Sequence, residues 1–235
     1  MAANRDEFHA RPAQAMHWWP DRPQVLGGRD LEAGGTWLAV SSPGRIAAVT
    51  NYREDLERQH RGRSRGELVS NFVAGASPAL GYCRELSEAD YAGFSLLACD
   101  RDAIVYVSNR GDPARELPPG VYGLSNASLD TPWNKVTRSK KALETLVAKQ
   151  EIDVEPLFAL LADRAPAPSD DYAGTGLAPG LARAVSAPFI AANGYGTRCS
   201  TILLLAESGE VEIHERRFDS RGEVTGQADF RFEIA

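Results

Sequence analysis

Cysteine is scarce in this chain of 235 residues: there are three, Cys83, Cys99 and Cys199. Their odd number and wide spacing offer neither a disulfide framework nor a metal-ligand pattern, which points to a reducing compartment and makes the cytoplasm the expected location. Long apolar runs are missing too. The longest, Thr201 to Ala206, falls far below the roughly 20 residues that a spanning helix needs, and no signal peptide reads ahead of the first structured segment. Basic residues are outnumbered, 26 against 32 acidic ones, for a net charge of -6 and a pI of about 5.3. That balance opposes a general nucleic-acid-binding role, which requires a basic surface. The one basic run, Arg53 to Arg65, alternates with Glu54, Asp55 and Glu57 and reads as an internally paired, solvated loop. His9, His17, His60 and His214 share no metal spacing and read as surface or loop residues, an axial ligand among them requiring a coincidence of the fold, so no metal site is expected. Internal repeats and heptads are absent, which excludes solenoids and coiled coils.

What remains is an ordinary globular composition, 43% hydrophobic and 25% charged, of a length that one domain, 1–235, accommodates. From Ala3 to Gly28 the chain reads as a charged cluster followed by a loop-like stretch rich in tryptophan and proline. Gly35 to Ser41 and Arg45 to Asn51 then read as a β-hairpin around Ser42, Pro43 and Gly44. Ser64 and Glu67 resemble a capping box and place a helix start near Arg65. A second helix is predicted over Ala79 to Leu86, with Pro78 at its first turn. A second hairpin joins Phe94 to Cys99 with Ala103 to Ser108. A short strand reaching Leu124 follows the Pro118, Pro119, Gly120 turn. Asp130, Thr131 and Pro132 mark the next helix, whose apolar stripe is Val136, Leu143, Leu146 and Val147. Another helix spans Val154 to Ala162 and gives way to a Pro- and Asp-rich loop to Asp171. Three strands close the chain: Thr197 to Ala206, Val211 to Phe218 and Gln227 to Ile234. Blocks of strands and blocks of helices argue for a layered α+β architecture and against a doubly wound sheet. The glycine pairs Gly27, Gly28 and Gly34, Gly35 lack the setting of a nucleotide cradle and read as tight turns with positive φ.

Asn4, Arg5, Asp6 and Glu7 spell a four-letter signature, and Ala2 to Pro12 around it resembles the opening motif of the NRDE-motif family, which includes the transport and Golgi organisation protein 2 proteins. The likeness continues through Gly27 to Asp30, Gly34 to Trp37, Thr50 to Arg53, Ser64 to Gly66, Ser125 to Lys135 and Tyr195 to Arg198, nearly the whole chain. It implies a fold similar to the N-terminal-nucleophile hydrolases: a four-layer αββα sandwich of two antiparallel sheets between helical layers. Members of that superfamily cleave amide bonds with the side chain of the first mature residue, whose α-amino group, with a pKa near 8, serves as base. The match begins abruptly, because family members usually run through a strand opening Met-Cys before the signature. The nucleophilic cysteine that the resemblance leads one to expect has no counterpart here, so no catalytic residue is assigned and this chain is expected to be inactive in that chemistry. Either a lost strand or a start placed downstream of the true one accounts for this, and a sheet without the strand would present an unpaired edge.

The pocket candidates on this resemblance are Asn4, Arg5, Asp6, Asn51, Asn126 and Arg198. Arg5 suits an anionic group and Asp6 its orientation, the alternative being a buried structural ion pair. Asn126 resembles the asparagine that donates to the oxyanion in the bile-salt-hydrolase branch, the alternative being a turn asparagine. Arg198 enters a strand that in the same branch brings an arginine to the pocket, and Asn51 ends a strand pointing toward it; a solvent-facing charge is the other reading of Arg198. Phe8, Trp18, Trp19 and Trp37 are candidates to line a site for a flat apolar ligand such as haem, against ordinary core or lid packing.

The resemblance implies a non-enzymatic protein that handles haem as cargo and passes it to acceptor proteins. Two alternatives stand beside it: an N-terminal-nucleophile amide or acyl hydrolase, active only with an upstream cysteine, and a structural or secretion-related interaction protein.

Overall fold

Val211, Ile213 and Glu215 alternate with Glu212, His214 and Arg216, the period-two pattern of a strand with two different faces. A computed structural model describes residues 1–53, 62–150, 152–168 and 177–234, with only the backbone of Glu88. His60, most of the Arg53 to Arg65 run and the end of the loop to Asp171 lie outside the described residues. The chain is α+β with two antiparallel sheets, and it divides into two compact units.

The first unit comprises Met1–Arg11 and Pro132–Phe232. Its sheet contains β1 (Ala2–Phe8), β9 (Ala191–Ala192), β10 (Tyr195–Leu205), β11 (Glu210–Phe218) and β12 (Val224–Glu233), in the order β1, β10, β11, β12, with β9 also on β10. The β1 ladder runs to the first residue: the Met1 ammonium donates to Leu203 O at 2.6 Å, and Leu203 N donates to Met1 O at 2.8 Å. Helix α4 (Val154–Leu161) packs on β10 and β1, α3 (Asn134–Lys149) packs on α4, and α5 (Pro179–Val185) lies by β9. Leu157, Phe158, Leu161 and Ile202 form the core between helix and sheet, with Ala2, Leu143, Leu146 and Leu204 packed against it. Burying each of these larger side chains contributes about 1.5–3 kcal/mol.

The second unit, Pro12–Thr131 with the last few residues, holds seven strands in chain order. They are β2 (Ala13–Trp19), β3 (Arg22–Asp30), β4 (Leu38–Ser41), β5 (Ile46–Asn51), β6 (Phe94–Cys99), β7 (Ile104–Ser108) and β8 (Asp112–Glu116), each antiparallel to the next. Helix α1 (Gly66–Ala74) covers β3 to β6 and α2 (Ala79–Arg84) covers β6 to β8. Trp19, Val25, Ala39, Ala47, Phe72, Phe94, Leu96 and Val105 are buried together on that face. None of the helices among the described residues is long and apolar enough to cross a membrane.

Several local expectations are corrected. The stretch from Ala3 to Gly28 forms three strands, not a loop, because the partners of β1 lie far away on β10 while β2 and β3 pair with each other. Gly27 and Gly28 are strand residues. A Cβ on Gly28 would lie 2.1 Å from the Trp37 ring, so the glycine makes room for that indole. Of the four glycines only Gly34 has positive φ, +77°. No strand reaches Leu124; instead Gly123 N donates to the Asp130 carboxylate at 2.8 Å and Asp130 N to Gly123 O at 2.7 Å, which closes a loop. The capping box does not form, since Glu67 pairs with Arg63 while α1 begins on backbone bonds to Ser64 and Arg65. Val147 is 42% exposed and stands outside the α3 stripe.

Candidate functional site

Asn4 lies opposite Ser200 and Arg5 opposite Cys199, but the next pair is Asp6 with Thr197. Arg198 is therefore an extra residue on β10, and the ladder bulges at this point. Because side chains alternate along a strand, the signature distributes its members to different surroundings.

Asn4 faces the helices. Its Nδ2 donates to Leu161 O, at the end of α4, and to Pro188 O, both at 2.9 Å, while its Oδ1 accepts from Ser200 Oγ at 2.6 Å. One amide thus fastens a helix end, a loop and a strand. Asp6 faces the same side, where its carboxylate accepts from Thr197 Oγ1 at 2.6 Å, and Thr197 Oγ1 in turn accepts from Ile190 N at 2.9 Å. Burial pushes the Asp6 carboxyl above its usual pKa, opposed by the Thr197 bond and by the charges of Lys135 and Arg5. Lys135 is itself buried and donates from Nζ to Val185 O at 3.1 Å.

Arg5 lies on the other face of the sheet, buried with Cys199 and Glu215. Burial raises the Cys199 thiol well above its ordinary pKa, and the nearby Glu215 carboxylate adds to that shift while Arg5 opposes it. Glu215 is absent from the candidates read from sequence, and Cys199 enters there only as an isolated cysteine. The signal was present in Val211, Ile213, Glu215: alternation puts this glutamate where a core side chain belongs, and it is only 1% exposed.

Past the bulge, at the end of β1, Phe8 is 61% exposed and meets Tyr195 edge-on, with ring centroids 5.2 Å apart. The next residue, His9, donates its backbone N–H to Gly194 O at 2.9 Å and lays its ring over Gly196, where a Cβ would sit 3.2 Å from Nε2. Arg198, released from the ladder, donates from Nη1 to Phe8 O at 2.9 Å and to Arg11 O at 3.1 Å. The His9 pKa is lowered by partial burial and then by Arg198, with Asp219 opposing. Its imidazole is neutral at neutral pH.

The remaining candidates belong to the second unit. Asn126 Nδ2 donates to Asn51 O at 3.1 Å, Arg53 N donates to Asn126 O at 2.7 Å and Thr50 Oγ1 to Ser125 O at 2.8 Å, so Asn51 and Asn126 are joined at the end of β5. Trp19 is buried, with Nε1 donating to Gly27 O at 3.0 Å and the Arg29 guanidinium 4.4 Å from its ring. Trp18 is half-buried on β2, and Trp37 packs over Gly28. Burial pushes the thiols of Cys83 and Cys99 up to about 12 and about 11. Among the described residues no three His, Cys, Asp or Glu side chains are grouped to hold a metal ion.

A family model described as Transport and Golgi organisation 2 matches residues 1–220. The Transport and Golgi organization protein 2 homolog of Homo sapiens is 39% identical over 237 residues, covering 92% of this chain and 85% of its own length. The homolog of Mus musculus is 35% identical with the same coverage. The Transport and Golgi organization protein 2 of Drosophila melanogaster is 29% identical over 247 residues, covering 92% of this chain and 84% of its own.

Proposed function

The chain belongs to the Transport and Golgi organisation 2 family, and from that premise we propose that it carries haem as cargo, without transforming it, and delivers it to acceptor proteins in the cytoplasm. The word transport in the relatives' names fits a carrier. The state of the thiols speaks against hydrolysis by any of the three cysteines of this sequence and leaves the amide-hydrolase alternative dependent on the upstream cysteine. Cys83, Cys99 and Cys199 all have raised pKa values, with burial as the first cause. A cysteine nucleophile needs a thiolate at working pH, which a depressed pKa supplies and a raised one withholds. The N-terminal-nucleophile-type sandwich is part of the proposal, and each sheet supports it separately. Each has helices on one face and buried apolar side chains on the other: Leu203, Val211 and Ile213 in the first unit, Leu26, Leu38 and Val40 in the second.

The experiment is a titration of the purified protein with stoichiometric haem, followed by mixing with an apo-acceptor. A shifted Soret band that then moves to the acceptor is the expected result. An unchanged haem spectrum would overturn the proposal.

A further inference from the structure

We propose that the end of β1 is the docking point for the cargo, with His9 as the axial ligand to the iron and the Phe8 and Tyr195 rings against the porphyrin. This inference rests on the carrier reading above. A flat macrocycle with a metal centre and two carboxylates requires three things of a surface: an accessible aromatic contact, a nitrogen donor at its edge, and nearby positive charge.

The end of β1 brings these together. Phe8 is the more exposed of an aromatic pair fixed edge-on, which leaves its ring accessible to a flat apolar ligand. His9 follows immediately, its backbone pinned to Gly194 and its ring seated over Gly196. Gly196 is what allows this seat, since a Cβ there would press on both Nε2 and Ile190 O, the latter at 2.8 Å. Arg198 adds a cation at a fixed place, because two backbone carbonyls, of Phe8 and Arg11, hold its guanidinium. The bulge produces the arrangement: an even ladder would keep Arg198 in the pairing pattern and leave the turn after Phe8 unclamped.

Two of the other histidines, both among the described residues, are set differently: His17 bonds Ala15 O at 2.8 Å through Nδ1, and His214 bonds the Asp229 carboxylate at 2.7 Å and buries its other nitrogen, Nε2.

The test uses the full chain and ferric haem, read by absorption and by resonance Raman, which reports the iron ligand. Wild type is expected to give a histidine-ligated spectrum. His9→Ala should lose that signature and bind about tenfold more weakly or worse, whereas His17→Ala and His214→Ala keep it. In a second measurement, gallium protoporphyrin is expected to shift the ring resonances of His9 in an NMR spectrum of the wild-type protein, which does not depend on how any variant folds. If wild type binds haem but His9→Ala gives the same spectrum, or the His9 resonances stay in place, this site is wrong and the carrier reading stands. If wild type leaves the haem spectrum unchanged, both fall.

Discussion

Asn4 shows how much a single side chain contributes at residue scale. Its amide engages Leu161 O, Pro188 O and Ser200 Oγ at once, so Asn4→Ala leaves three partly buried polar groups to find other partners. Each such group costs about 1–3 kcal/mol when unsatisfied, and with partial rescue by water the expected loss is about 2–4 kcal/mol. It should be read as a lower urea midpoint at unchanged slope; a midpoint equal to that of the parent protein would remove Asn4 from the structural framework. The signature was legible as a string, yet the separate roles of its letters were not. They depend on which way β1 faces and on where β10 carries its extra residue, and that partner lies about 190 positions away in sequence. His9 reads from sequence as a surface or loop residue for the same reason: its neighbours Gly196 and Arg198 come from β10, far along the chain.

Elements were legible where their apolar pattern is local. The β4–β5 and β6–β7 hairpins and the helices α1, α3 and α4 follow from apolar spacing together with turn and helix-start residues, although the capping box read at α1 does not form. Strand β8 did not, since Asp112–Glu116 includes Pro113 and no large apolar residue. It is an outer strand, the place where a sheet tolerates proline. The strands β1 to β3 were obscured by Pro12, Pro20, Pro23 and the glycine pair, whose strand role depends on the Trp37 ring. Two residues of the α3, α4 and β10 layer separate a true core position from an apparent one. Ile202 is fully buried between β10 and α4, and Val147 is largely exposed on α3. Ile202→Ala is expected to cost about 2–5 kcal/mol and Val147→Ala within about 0.5 kcal/mol of nothing, both by urea unfolding. Equal losses at the two sites would contradict the packing of this layer.

At the scale of the whole molecule, the buried weak acids add up. Cys83 and Cys99 titrate near 12 and 11 when folded, against 9.0 for a free thiol, and Cys199, Tyr91 and Tyr106 are shifted the same way. A group whose folded pKa is raised lends stability that is complete below its unfolded pKa and is lost as pH rises toward the folded one. Stability should therefore hold up to about pH 9 on account of these groups and fall between there and about pH 12. Urea midpoints at pH 8 and pH 10.5 provide the check, and a flat response would refute the burial of the thiols. The first unit is also non-local by construction, closing β1 against a strand from the last fifth of the chain, and such long closures slow folding. The bulge at Arg198 has one more consequence, for comparing related chains. Removing the extra residue would leave every pair beyond it intact, from Asp6 with Thr197 to Phe8 with Tyr195. A one-residue gap opposite Arg5 in an alignment is thus a change of local bend and the loss of a clamp, and the faces presented by the rest of both strands stay as they were.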